Sequence, residues 1–132
     1  MNFRLRHMLN LMAAGAITAL LTAPAAAQTA RPVREEIQSL LAAMEQSGCE
    51  FYRNGSWHTP TDARAHLARK LAEVEKGQPP KSADEFIEVV ATRSSISGEP
   101  YRVRCPGVAP IASAVWFRQT LERSRQTAAP TR

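Results

Sequence analysis

An α+β fold is predicted by three features of the chain. Apolar residues recur at helical spacing in several separate segments. An Asn54-Gly55 pair stands between two aromatic-bearing arms. The run Tyr101-Arg102-Val103-Arg104-Cys105 alternates apolar and polar side chains. Together these predict three to four helices packed on a small three-stranded antiparallel sheet with one cross-strand disulfide.

The first helix follows Pro32, where Ile37, Leu40, Leu41 and Met44 fall on one helical side. Glu35 and Glu36 occupy its first turn, where the helix dipole favours acids. Gly48 supplies a stop. Cys49-Glu50-Phe51-Tyr52-Arg53 and Ser56-Trp57-His58 then flank Asn54-Gly55. A two-residue loop needs positive φ at both turn positions, which Asn and Gly tolerate best. That loop pairs Tyr52 with Trp57 and Phe51 with His58.

Thr59 and Pro60 open a second helix as cap and first helical residue. Leu67, Leu71 and Val74 form its apolar seam, and Gly77 closes it. Pro79-Pro80 mark a connector. Ser82-Ala83-Asp84-Glu85 has the form of a capping box and starts a third helix with Phe86, Ile87, Val90 and Ala91 inward. The small polar loop of residues 94–100 leads into the alternating strand, which Pro106-Gly107 ends. Ser113 is expected to cap a last helix carrying Trp116, Phe117 and Leu121. No internal repeat is present.

Cys49 begins one predicted strand and Cys105 ends another. Antiparallel pairing sets Cys49 opposite Cys105, Phe51 opposite Val103 and Arg53 opposite Tyr101. Alternation and cysteine placement thus predict one register. A catalytic thiol pair needs closely spaced cysteines, and zinc needs four ligands at known spacings; neither pattern occurs. A disulfide closing this loop restricts the unfolded chain by about 4 kcal/mol.

The N-terminus carries an address. Arg4, Arg6 and His7 precede an apolar run over residues 8–21, and Ala25-Ala26-Ala27 gives the small-x-small pattern of a signal-peptidase site. A spanning helix needs about 20 apolar residues, more than this run supplies. Residues 1–27 are therefore expected to be a signal peptide cleaved near Ala27, with no stable transmembrane anchor and a periplasmic destination, where cysteines can pair. Residues 28–33 read as a linker, 34–125 as a single α+β domain and 126–132 as a disordered tail.

The 132-residue chain holds 17 basic and 12 acidic residues, a net charge of +5. Arg4 and Arg6 leave with the leader, so the bias of the remainder is mild. It permits contact with anionic lipids or cell-wall polymers without requiring it. No long basic stripe is present, and no nucleic acid is expected as partner.

Of three histidines, His58 and His66 lie beyond the leader. His58 is expected to pack across the strand against Phe51, and His66 to flank the core with a polar neighbour. Two histidines without a placed acid make no metal site, and no cofactor is implied. Ser94, Ser95 and Ser97 share a loop, but no G-x-S-x-G or S-x-x-K motif accompanies them. Their default role is to satisfy turn backbone. Arg102 and Arg104 project from the face opposite Val103. They either keep that face wet or join Arg53, Arg69 and Lys70 in a basic patch.

Phe51-Tyr52-Arg53-Asn54-Gly55, His66-Leu67-Ala68-Arg69-Lys70, Phe86-Ile87, the block from Ser94 to Tyr101, and Trp116 occur in that order. In order and spacing they resemble the YfeK-like family of small exported bacterial proteins. The resemblance spans residues 35–125. It implies an exported bacterial domain and supplies no activity or catalytic residues.

His66 and Lys70 stand four apart on one helical side. With Arg53, Ser94, Ser95 and Tyr101 they make a candidate pocket of cationic and hydroxyl donors, suited to a small anionic or polar ligand. The sequence thus predicts a non-enzymatic periplasmic accessory or binding module, acting on such a ligand or on an envelope protein. The alternative is a small hydrolase using His66 and a serine of the 94–97 loop. No catalytic residue is assigned.

Overall fold

In the computed structural model, which describes residues 28–129, four helices cover one face of a four-stranded antiparallel sheet. The expected signal peptide lies outside the described residues. Among those residues, no helix is long and apolar enough to cross a membrane.

The first helix, α1, spans Arg31–Gln46 and buries Ile37, Leu40, Leu41 and Met44. It starts inside the segment expected to be a linker, because Pro32 sits in the first turn rather than ahead of it, where its fixed φ suits a helix. The residues before it are tied down too. Thr29 is buried, and its hydroxyl donates to Glu75 Oε1 at 2.6 Å.

Strands β1 (Glu50–Arg53) and β2 (Ser56–His58) form the hairpin, with Tyr52 opposite Trp57 and Phe51 opposite His58. Asn54 at φ 47° and Gly55 at φ 87° both adopt the left-handed backbone such a loop requires. Helix α2 (Pro60–Glu75) is capped by Thr59, whose side chain accepts from the Asp62 amide. Helix α3 (Ala83–Val89) is capped by Ser82, which accepts from Glu85 N at 3.0 Å. The reciprocal half of the box is displaced by one residue, since Glu85 accepts from the Lys81 amide.

Strand β3 (Arg102–Arg104) lies beside β1 in the expected register, Phe51 opposite Val103. Cys49 and Cys105 are joined, with Cα atoms 4.2 Å apart. The sheet has a fourth strand, β4 (Ile111–Ala112), on the far side of β3, giving the order β2-β1-β3-β4. Two residues following a proline are too short to show alternation, so the sequence suggested three strands. Helix α4 spans Ser113–Ala128. Its N-cap is Ala112, not Ser113, because the Ser113 amide donates to the Tyr101 carbonyl at 2.9 Å and Ser113 is already the first helical residue. The helix also runs through residues 126–128, which were expected to be disordered tail.

The core lies between the sheet and the helices. Phe86, Ile87, Val90 and Phe117 have no exposed surface. Burying each such side chain contributes roughly 1.5–3 kcal/mol. Trp116 stands edge-on to Phe51 at 5.6 Å and to Phe117 at 5.0 Å, locking α4 to the sheet. On the opposite, outer face Arg104 stacks over Trp57 at 4.1 Å and pairs with Glu50 at 2.7 Å. Arg102 and Arg104 therefore serve the outer face. They form no common patch with Arg53, which alternation puts on the inner face.

Candidate functional site

The inner face of β1 ends at Arg53, where α2 and the loop after α3 converge on it. Arg53, His66, Lys70, Ser94, Ser95 and Tyr101 all line one open groove of about 540 Å³. They come from four places in the chain: the end of β1, the middle of α2, the serine loop and the residue before β3. Helical spacing brings His66 and Lys70 to the same wall, as the offset of four required. Arg69, Asn54 and Ile96 complete the lining. The sequence signal for Arg69 is its offset of three from His66.

His66 is partly buried, and its Nε2 lies 3.0 Å from the Tyr101 hydroxyl. Burial pushes its pKa down to about 4, helped by the positive charges of Arg53, Lys70 and Arg69 and by His58. The imidazole is thus neutral at physiological pH and offers hydrogen bonds rather than charge. Burial also raises the Tyr101 hydroxyl above its ordinary pKa, so it stays protonated.

Lys70 is the most buried cation among the described residues, at 9 % exposure. Its ammonium donates to the Arg93 carbonyl and lies 5.1 Å from the Tyr101 ring centroid. Burial lowers its pKa. Lys70 therefore holds the start of the serine loop against α2, and part of its donor capacity is already used. Arg53 and Arg69 differ: among the described residues neither forms an ion pair or side-chain hydrogen bond. Glu73, the acid in the lining, pairs with Lys76 at 2.7 Å.

The serines act on backbone. Ser94 is buried, and its hydroxyl accepts from the amides of Ile96 at 3.3 Å and Ser97 at 3.2 Å. Ser97 donates to Asn54 Oδ1 at 2.8 Å, tying the loop to the hairpin turn. Ser95 is exposed on the groove wall. No serine hydroxyl hydrogen-bonds His66 among the described residues; its partner is Tyr101. No group of three or more His, Cys, Asp or Glu among them could hold a metal ion. The groove presents guanidinium, imidazole and hydroxyl groups, a set that fits an anion or a polyhydroxylated ligand. His66 and Tyr101 also line a recess of about 20 Å³ behind the groove, next to Met44, Phe51 and Leu67. That is room for about one water.

Residues 31–125 match a family of unknown function, DUF5329. The chain is also similar to the uncharacterized protein YfeK of Salmonella typhimurium. The two are 36% identical over 86 residues, which is 64% of this chain and 70% of that protein. No solved structure matches.

Proposed function

The chain belongs to the DUF5329 family of unknown function, and from that premise we propose that it is an exported, non-enzymatic bacterial binding module whose groove takes a small anionic ligand. One observation carries this reading. Two guanidinium groups, Arg53 and Arg69, face a single groove without an ion-pair partner among the described residues, beside the hydroxyls of Ser95 and Tyr101. Arginine presents a rigid fork of donors that matches a carboxylate or phosphate. A partly buried site strengthens that attraction relative to open water.

Export is supported by the basic head, apolar run and Ala25-Ala26-Ala27 of the leader, and by the paired cysteines, which suit an oxidising compartment such as the periplasm. The hydrolase reading needs His66 to activate a serine with an orienting acid behind it. His66 instead meets Tyr101, and Ser94 spends its hydroxyl on the loop's own amides. The binding reading is therefore favoured.

Titration of the ¹⁵N-labelled protein with inorganic phosphate tests it. Saturable shifts at Arg53, His66, Arg69 and Ser95 are expected, lost in the Arg53→Ala, Arg69→Ala double variant. Shifts absent from the groove would overturn the reading.

A further inference from the structure

Ile96 stands on the rim of the groove with 96% of its surface exposed, the most exposed large apolar side chain among the described residues. A single exposed apolar residue is ordinary on a loose loop. This loop is not loose. Ser94 accepts from the Ile96 and Ser97 amides, the Ser94 amide donates to the Glu99 carbonyl at 2.9 Å, and the Gly98 amide to the Ser94 carbonyl at 3.0 Å. Ser97 fastens the loop to Asn54, and Lys70 fastens its root at Arg93. The backbone is held so that an isoleucine points into solvent, and the ordering cost of presenting it is met before any partner arrives.

The charges around this tip are predominantly positive. Arg53 and Arg69 share the groove with Ile96, and exposed Arg93 opens the loop. Of the two nearby acids, Glu73 pairs with Lys76, and Glu99 accepts from the Tyr52 hydroxyl at 3.1 Å, so the arginines outnumber the uncompensated carboxylates. An apolar tip ringed by unpaired arginines is complementary to a surface that is anionic at its skin and hydrocarbon beneath.

We propose that the 94–97 loop docks on an anionic phospholipid surface, with Ile96 entering the acyl boundary and a lipid phosphate seated between Arg53 and Arg69. The assignment rests on the anion-binding reading of the groove and names the source of its anion. The recess behind His66 holds only about 20 Å³. That recess has no room for a hydrocarbon chain behind the anion site, so the lipid stays in its bilayer and the protein comes to it.

Vesicle flotation tests the proposal, using vesicles of pure phosphatidylcholine and vesicles containing one third phosphatidylglycerol. The full chain as recovered from expressing cells is compared with Ile96→Asp, so any contribution common to both cancels. The wild type should float with the phosphatidylglycerol vesicles and not with phosphatidylcholine alone. Ile96→Asp should reduce that partition by about tenfold or more. Soluble glycerol 3-phosphate should compete only weakly, because it lacks the apolar contact. Equal flotation of the wild type with both vesicle types would overturn the proposal, as would undiminished flotation of Ile96→Asp. Wild-type phosphate shifts alongside equal flotation would leave the anion site standing and remove only the anionic membrane as its source.

Discussion

His66 and Tyr101 meet edge-on, with ring centroids 5.9 Å apart at 84° and Nε2 3.0 Å from the hydroxyl, joining α2 to the start of β3 across the floor of the groove. The contact fixes the imidazole beside Arg53, Lys70 and Arg69, whose charges disfavour its protonation. It makes His66 a reporter of whatever charge enters the groove.

Stability should fall as the solution is acidified. The folded-state pKa of His66 is about 4, below the ordinary value of 6.5. Between these values the unfolded chain binds a proton that the folded chain refuses, so stability is fully present above about pH 6.5 and is lost as pH falls toward 4. The full shift corresponds to roughly 3 kcal/mol. The open groove screens it, and about 1 kcal/mol is expected. Thermal melts of wild type and His66→Gln from pH 7 to 4.5 should converge as the pH drops.

Arg53→Ala should raise the His66 pKa. After burial, the Arg53 charge is the largest influence holding it down. Histidine ring resonances followed by NMR across pH 3–8 would measure the change; a lower midpoint would contradict the electrostatic picture.

Lys70 separates charge from packing. Lys70→Ala removes the donor to the Arg93 carbonyl, the cation over Tyr101 and the buried stem. It should destabilise the fold by about 2–3 kcal/mol. Lys70→Met keeps most of the stem and should cost about 1 kcal/mol less, as read by chemical denaturation. Equal losses would mean that the ammonium carries the whole effect.

The disulfide spans a sequence separation of 56. Replacing Cys49 and Cys105 together by alanine should cost about 2–5 kcal/mol. Urea titration of the double variant, or of reduced wild type, should show the loss. An unchanged midpoint would show that strand pairing and packing hold β1 to β3 without the disulfide.

Much of the fold was legible because local chemistry and long-range pairing agreed. Asn54-Gly55 fixed the hairpin loop, and the two cysteines set the same β1–β3 register that alternation in residues 101–105 suggested. Ambiguity arose where tertiary contacts decide. The Ser113 amide is drawn to Tyr101, so Ala112 takes the cap position and β4 appears beside β3. Residues 29–31 look like linker until Glu75 accepts the Thr29 hydroxyl. The six candidate groove residues do share one groove: helical spacing and strand register bring Arg53, His66, Lys70 and Tyr101 there, and the fold of the serine loop adds Ser94 and Ser95. The work of Lys70 as a tie to Arg93, and the exposure of Ile96, depend on how the serine loop folds back. No pattern in residues 94–100 states that.

The most direct measurement is the His66 titration midpoint with and without inorganic phosphate. An anion seated between Arg53 and Arg69 offsets the charges that depress this imidazole, so binding should raise the midpoint from about 4, and phosphate should bind more tightly to the protonated form by linkage. A midpoint that saturating phosphate leaves unmoved would contradict the claim that the groove is an anion site.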